Sequence, residues 1–574
     1  MAPCLRLCGW QLVWMAAAVT YKGAVVEQPA VENSDYALRK ELTANASVAL
    51  AQEAAQAGAQ IIVFPEYGLI GFPTYPYAST KRAAYAELFD EIPEPTGDVP
   101  CLNPSKYAKA TTIVALSCGA KKNNIAIVGC MGDIVKCPNT AYPGCAQSGQ
   151  LQFNTAVAFD TDGKFLLKYH KTNFWGEDDY LDVPQGCEDK TFTTSFGVTF
   201  GLIICADVIY KFPPERLVQD GIKNFVSPIW WSNYMAHMQA MSWHQGWSLR
   251  NCANILFANY GPGASGSGIV SCGNAKASYY KSASSVEIIY AEMDSDPQRS
   301  QPQLLVPSLS TSDTGPQGWQ FASLASGKVC SGKICCVASD VVGGASGYSI
   351  AALSGPDSGC GDYSFGHNCG LKSFHWPGET CGVFACPTPG AECLHYQTPT
   401  GSLTGVRLEM IVSPDTAVYP HVLAYDSTST EQLLLEPGAG LDFLQNGTRV
   451  VLSVSSSHPL TSAEMYGRPY RQDSLSYNCA LPMEPGVTST ATSTATSTTM
   501  STTTSTATST ATSTTMSNTG GATSTAELSV DDGRSVDDGG SAEELSASGV
   551  MSSFLAGLSF RICLFVVPML VEHR

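Results

Sequence analysis

Over the first half of the chain, short apolar runs alternate with stretches of helical spacing. Gly23–Glu27, Gln60–Phe64, Ile125–Gly129, Asn154–Phe159, Val198–Cys205, Phe225–Pro228 and Ile255–Asn259 are apolar, β-prone runs bounded by turn residues, and they predict strands. Leu38–Gln56 is Ala-rich with apolar positions at helical spacing and predicts a helix feeding the strand that leads to Glu66; Pro214–Asp220 and Ala236–Asn251 also read as helices. Strands alternating with helices from about Tyr21 to Met293 predict an α/β layered core. After about Gln298 helical periodicity fades, Gly, Ser and Cys rise, and short β-like runs alternate with turns to about Cys479. That pattern predicts a smaller β-rich domain stapled by disulfides.

From Thr488 the alternation disappears. Ser489–Thr504 recurs nearly unchanged as Ser505–Gly520, with too little apolar surface to offset chain entropy, so a disordered, O-glycosylated stalk is predicted. A short acidic stretch follows, in which Ser529–Gly533 repeats as Ser535–Gly539. The two ends are apolar for other reasons. Met1–Arg6 is positive, Leu7–Val19 is apolar but too short to span a bilayer, and Ala16-Ala17-Ala18 offers a cleavage site: the order of a secretory signal peptide, against an anchor or a buried strand. Val550–Val571 is apolar with Arg561 its only charge, preceded by a polar spacer and by small residues at Gly539, Gly540 and Ser541. That order matches a GPI-attachment signal with Gly539 or Gly540 as the site. The alternative is a transmembrane helix, in which a central Arg561 costs about 3 kcal/mol. The resulting division is 1–18 signal peptide, 19–297 catalytic-type α/β domain, 298–486 β-rich domain, 487–540 stalk and 541–574 attachment signal.

Composition sharpens this picture in two ways. A net charge of −18 over 574 residues, with no cluster of Lys and Arg, excludes nucleic acid as the expected partner. The 21 cysteines, with sequons at Asn45-Ala46-Ser47 and Asn446-Gly447-Thr448, fit an oxidising, extracellular compartment in which disulfides are the default. Cys101 with Cys118 and Cys137 with Cys145 are the simplest bridges by proximity. Setting aside Cys4, Cys8, Cys205 and Cys563 leaves 17 cysteines, an odd number, so another free thiol or an intermolecular bridge is required.

Three segments place a charged or reactive residue where an apolar strand ends. In Ile61-Ile62-Val63-Phe64-Pro65-Glu66, a partly desolvated carboxylate suits a general base, though a helix cap or salt-bridged turn reads the same way. In Phe165–Lys171, a cation landing among aromatic residues can stabilise an oxyanion, while many such lysines are plain surface charges. His170 beside it reads as a structural histidine. In Gly197–Asp207, Cys205 sits where a strand turns towards a helix, a place that projects a nucleophile but also suits a structural cysteine or half a disulfide.

Taken in order, Glu66, Lys171 and Cys205, with the Pro-Glu, His-Lys and Cys-x-Asp signatures around them, resemble the nitrilase superfamily and within it the vanin–biotinidase branch. Tyr169-His170-Lys171-x-Asn173 with Gly176-Glu177, Pro228-x-x-Trp231, Asn254–Gly268 and Val329-Cys330-x4-Cys335-Cys336 extend the resemblance. It implies a four-layer αββα sandwich followed by the β-rich domain. It also implies a triad that hydrolyses non-peptide amides: Glu66 the base, Lys171 the oxyanion stabiliser and Cys205 the acylated nucleophile. By the same resemblance Glu177 positions substrate and the Ala206 backbone N–H faces the oxyanion; Trp230 and Trp231 read as pocket walls, with core aromatics the alternative. Position 206 is aromatic in many members, so the pocket wall here is expected to differ. The implied substrates are small vitamin-linked amides, pantetheine first and biocytin second, with no metal and no cofactor. The expected partners are that small molecule and, through a lipid anchor, the outer membrane leaflet; oligomeric state is open.

Other readings remain. An idle surface-binding protein would keep the sandwich without turnover, and a papain-like peptidase would need a nucleophile motif that Cys205 lacks, with His244 as its partner. Gly261-Pro262-Gly263-Ala264-Ser265-Gly266 has the letters of a dinucleotide fingerprint but leads into a strand-like run, so it reads as a loop. Met235, Met238 and Met241 with His237 and His244 read as one helix's core face and rim. Cys330-x4-Cys335 and Cys381-x4-Cys386 read as disulfide cysteines rather than zinc ligands.

Overall fold

The computed structural model describes residues 18–470 apart from short internal stretches, the longest at 299–312 and 358–375. These residues fall within one compact unit, Met1–Pro485. The signal-peptide region up to residue 17, Glu177, Gly539, Gly540, the stalk and the apolar tail lie outside the described residues.

The first half builds β1 (Thr20–Glu27), α1 (Tyr36–Gln56), β2 (Ile61–Val63), α2 (Ala78–Leu88), α3 (Thr111–Asn123), β3 (Ala126–Lys136), α4 (Cys145–Ser148), β4 (Gln150–Phe159) and β5 (Phe165–His170). It continues with β6 (Thr191–Thr193), β7 (Thr199–Leu202), α5 (Pro214–Gln219), β8 (Asn224–Pro228), α6 (Ala240–Asn251), β9 (Asn254–Ala258), β10 (Ser267–Ser271), β11 (Asn274–Tyr279) and β12 (Glu287–Asp294). The strands form two six-stranded sheets, ordered β12-β1-β2-β3-β4-β5 and β11-β10-β9-β8-β7-β6. In each, three neighbours are parallel: β1, β2 and β3 in one, β7, β8 and β9 in the other.

Both faces of the first sheet are buried, which is why its strands are nearly continuous apolar runs. Val25, Ile61, Val63, Ala126 and Val128 pack towards the second sheet, while Ala24, Val26, Ile62 and Ile127 pack in the cluster that covers the outer face. That cover comes from α1 and α3. Asp35 caps α1 by accepting from the N–H groups of Ala37 and Leu38, and α3 ends at Asn124 in the left-handed region. With α5 and α6 outside the second sheet, the domain is the four-layer αββα sandwich that the resemblance implied.

The second part is a β sandwich of a six-stranded and a five-stranded sheet. Its core joins Ile350, Val383, Val418 and Met465 of one sheet with Cys336, Val406, Leu408 and Val450 of the other. Cys336–Cys381 bridges the two sheets, and Cys330–Cys335 and Cys386–Cys393 staple local turns. Thus Cys381 and Cys386, read together in the sequence, bond to different partners. The bridges Cys101–Cys118 and Cys137–Cys145 are also formed.

Helix α6 departs from the sequence reading. It starts at Ala240, so Met238 precedes it, and every residue from Ala240 to Leu249 is buried. One face packs on the second sheet, with Trp247 against Phe225 at 4.8 Å and His244 stacked on Phe257 at 4.5 Å. The other face packs on the strand Ala417–Tyr425: a Cβ on Gly246 would lie 2.1 Å from the Pro420 carbonyl oxygen. His244 is therefore interior rather than rim. Burial pushes its pKa down to about 4, and its Nδ1 lies 2.7 Å from the Ala240 oxygen.

The glycine-rich segment is a loop entering β10, as its sequence suggested. It is held by Glu27 at the end of β1, whose carboxylate accepts from Ser265 Oγ at 2.5 Å, Gly266 N at 3.0 Å and Ser267 Oγ at 3.0 Å. Burial pushes the Glu27 pKa from 4.5 up to about 7 despite those donors. A carboxyl group raised on folding lends stability that is complete below its unfolded pKa and lost as pH rises through the folded value. The stability advantage of the wild type over Glu27→Gln is therefore expected to shrink by on the order of 3 kcal/mol between pH 4.5 and 8. Urea midpoints of both proteins at pH 5 and pH 8 check this; an equal gap at the two pH values would refute it.

Candidate active site

Glu66, Lys171 and Cys205 come from β2, β5 and β7, and each lies just beyond the C-terminal end of its strand. The structure brings all three to one place between the sheets. Glu66 and Lys171 are each 2% exposed and Cys205 is 5% exposed, so the group is withdrawn from water.

The carboxylate of Glu66 is fixed by three donors. Its Oε1 accepts from Lys171 Nζ at 2.7 Å and from Asn154 Nδ2 at 2.7 Å, and its Oε2 accepts from the Trp230 backbone N–H at 3.0 Å. Its own N–H donates to the Ile229 carbonyl at 3.2 Å, which ties the end of β2 to the end of β8 across the sandwich. The Lys171 N–H donates to the Asn154 carbonyl at 2.8 Å. Asn154 of β4 therefore holds the lysine by its backbone and the glutamate by its side chain. A buried ion pair is favourable only when further hydrogen bonds satisfy its remaining atoms, and Asn154 and Trp230 supply them.

Cys205 opens a 3-10 turn, Cys205–Ile209, with φ of 47°. A non-glycine residue in this left-handed region costs on the order of 1–3 kcal/mol and persists only where its surroundings hold it. Asp207 holds it. Its Oδ2 accepts from Ile204 N at 2.8 Å and Tyr169 Oη at 2.8 Å, and its Oδ1 accepts from Asn173 N and Nδ2, both at 2.9 Å. Burial raises the Asp207 pKa, and those donors with the Lys171 charge pull it back down. Asp207 was visible in the sequence only as the last letter of Cys-x-Asp. Asn154 had a fainter signal, one of several polar residues in a strand that is buried from Leu151 onward.

The Cys205 thiol lies 3.7 Å from the Trp230 carbonyl oxygen. Burial and then the Glu66 carboxylate push its pKa well above the ordinary value, and the Lys171 charge opposes them. The resting sulfur thus keeps its proton beside a carboxylate. Such an arrangement can pass that proton to Glu66 as sulfur attacks an electrophile, and can set a cation against the negative charge that forms.

Ala206 is buried next to Cys205. Trp231 is 7% exposed, its indole N–H donating to the Met238 carbonyl at 2.7 Å and its ring stacked with Trp175 at 6.3 Å. Trp230, whose backbone touches both Glu66 and Cys205, is 43% exposed. His170 is buried between two acids, with Nε2 3.1 Å from Asp133 Oδ2 and Nδ1 3.1 Å from Glu188 Oε1. Burial opposes its charge, but the two acids outweigh burial and raise its pKa. Cys130 of β3 is wholly buried, with Sγ 3.2 Å from Asn154 Oδ1.

Residues 16–260 match the family model of the carbon-nitrogen hydrolases. The chain is 34% identical to a pantetheinase of Bos taurus over 250 residues, 42% of this chain and 48% of that protein. It is 38% identical to a biotinidase of Takifugu rubripes over 210 residues, 36% of this chain and 41% of that protein. To a pantetheinase of Homo sapiens it is 32% identical over 253 residues, 43% of this chain and 48% of that protein. The chain spans about half the length of the curated relatives it matches. The crystal structure of an amidase from Nesterenkonia sp. is similar at 18% identity with a TM-score of 0.35, over 48% of this chain and 92% of that one. Residues 16–260 of this chain are a carbon-nitrogen hydrolase domain.

Proposed function

We propose that the protein is an extracellular, lipid-anchored amidohydrolase that cleaves a small vitamin-linked amide, pantetheine to pantothenate and cysteamine, through a thioester on Cys205. The observation that carries the chemistry is the buried Lys171–Glu66 pair at 2.7 Å beside a free thiol held on a left-handed turn. In this reading Glu66 accepts the thiol proton as Cys205 sulfur bonds to the amide carbonyl carbon. Lys171 and the Ala206 backbone N–H face the oxyanion. The C–N bond breaks as Glu66 returns the proton to the leaving amine. Water, losing a proton to Glu66, then attacks the thioester; the acid departs and sulfur takes the proton back. No step draws on a metal or an organic cofactor.

Substrate class rests on relatives named pantetheinase and biotinidase. The latter keeps biocytin hydrolysis as the second reading. An oxidising compartment is supported by the disulfides, and Asn45 and Asn446 are both exposed, so a glycan at either clears the fold. Among the described residues no helix is long and apolar enough to cross a membrane; the anchor reading rests on the tail sequence, with attachment at Gly539 or Gly540.

One experiment tests both halves. Cells expressing the full chain are treated with a phosphatidylinositol-specific phospholipase, and the released protein is incubated with pantetheine or biocytin while free amine is measured. Release from the cells and amine formation from pantetheine are expected. Retention on the cells would remove the lipid anchor, and amine from neither substrate would remove the vitamin-amide assignment.

A further inference from the structure

The β sandwich reaches the nucleophile's turn through one buried arginine. Arg468 ends the strand Leu460–Arg468 and is wholly buried. Its Nε donates to the Ile209 carbonyl at 3.2 Å and its Nη1 donates to the Pro377 carbonyl at 2.9 Å. The guanidinium also lies 5.8 Å from the ring of Tyr210 and 5.3 Å from the ring of Tyr470. Ile209 is the last residue of the turn that Cys205 opens.

The turn is therefore gripped at both ends. Asp207 and Asn173 of the hydrolase domain hold its beginning, and Arg468 of the second domain holds its end. The grip continues outward: Tyr470 Oη lies 2.6 Å from Tyr419 Oη, which donates to Glu215 of α5 at 2.8 Å. A residue kept at φ of 47° needs such over-determination, because relaxation of the turn would swing the sulfur away from Glu66.

We propose that Arg468 is a positioning residue for Cys205, and that the β sandwich is by this contact a working part of the hydrolase rather than an appendage to it. The proposal rests on the reading of Cys205 as the nucleophile. Arginine suits the place because its planar fork bonds two carbonyl groups at once while it lies 5.8 and 5.3 Å from two aromatic rings; a lysine ammonium cannot do all of this.

The test uses the full chain and three readouts: the rate of Cys205 alkylation by iodoacetamide followed by peptide mass, kcat and KM on the amide that the wild type hydrolyses, and the urea midpoint. In Arg468→Lys, alkylation of Cys205 and kcat are expected to fall by about ten- to a hundredfold with KM within about threefold, the signature of a displaced nucleophile. Gln445→Leu is the control. It removes another contact between the domains, Arg250 Nη1 to Gln445 Oε1 at 2.7 Å, without touching the turn, and is expected to lower the midpoint alone. Should Arg468→Lys not fold, Tyr470→Leu withdraws one ring from the guanidinium and is expected to slow both rates in the same direction. Folded variants at 468 or 470 with both rates at the wild-type level would overturn the proposal. So would equal slowing in Gln445→Leu, which would make the effect one of domain docking in general. Amide hydrolysis unchanged in Arg468→Lys removes the positioning role and keeps the amidase. No hydrolysis by the wild type, with alkylation still slowed in Arg468→Lys, removes the amidase and keeps the positioning.

Discussion

Cys205→Ala is expected to reduce amine release by at least about 10³-fold while the protein remains folded. The sulfur is the only atom lost, and the alanine Cβ occupies the space of the cysteine Cβ on the same turn. The bonds that hold the turn belong to Asp207, Asn173, Tyr169 and Arg468, so the substitution leaves them in place. Without the thiol no acyl-enzyme forms, and Glu66 and Lys171 can at most direct water at the amide. Residual turnover in such variants comes from binding and oxyanion contacts alone. Amine release and the urea midpoint, measured side by side, decide the matter. Turnover within tenfold of the wild type at an unchanged midpoint would show that the nucleophile lies elsewhere. Cys130 lies in strand β3 and is fully buried, so it offers no substitute.

Lys171→Met is expected to cost both activity and stability. Glu66 would remain 2% exposed with its cation removed, and breaking a buried pair from one side typically costs about 3–5 kcal/mol. Loss of the charge facing the oxyanion should lower kcat by about 10²- to 10³-fold. The double variant Glu66→Gln with Lys171→Met distinguishes the two effects. It removes both charges, so most of the stability should return while turnover stays absent. A Lys171→Met protein with a wild-type urea midpoint would contradict the buried pair. A double variant that regains turnover would show that neither residue takes part in the chemistry.

Several parts of this molecule were legible in its residues. The strand ahead of each of Glu66, Lys171 and Cys205 was readable because an apolar run buried on both faces has few other uses. The observed strands β2, β5 and β7 end at Val63, His170 and Leu202, with two, no and two residues intervening before Glu66, Lys171 and Cys205. Helix α1 was readable from its Ala-rich spacing and is capped by Asp35. Less legible were the groups that give the site its geometry. Asn154 lies within a strand and shows nothing of Glu66 or Lys171 in its neighbours along the chain. Asp207 stood two residues from Cys205, yet its four donors come from Ile204, Tyr169 and Asn173. Helix α6 misled for a related reason: His244, read as rim, is interior and stacked on Phe257, and the side of the helix carrying Trp243 and Gly246 is covered by the second domain.

What the sequence determined by itself is what depends on near neighbours and periodicity: the alternating α/β half, the β-rich half with local bridges such as Cys137–Cys145, and the placing of three reactive residues at strand ends. Tertiary structure decided what depends on contacts between residues far apart. Sheet pairing set Asn154 beside Glu66, 88 positions away, and Lys171 beside the same carboxylate, 105 positions away. Domain packing set Arg468 against Ile209, 259 positions away, and buried both sides of α6. Local pattern is dictated by burial and backbone geometry residue by residue, whereas the site is held by hydrogen bonds whose partners meet only once the two sheets and the second domain have closed on one another.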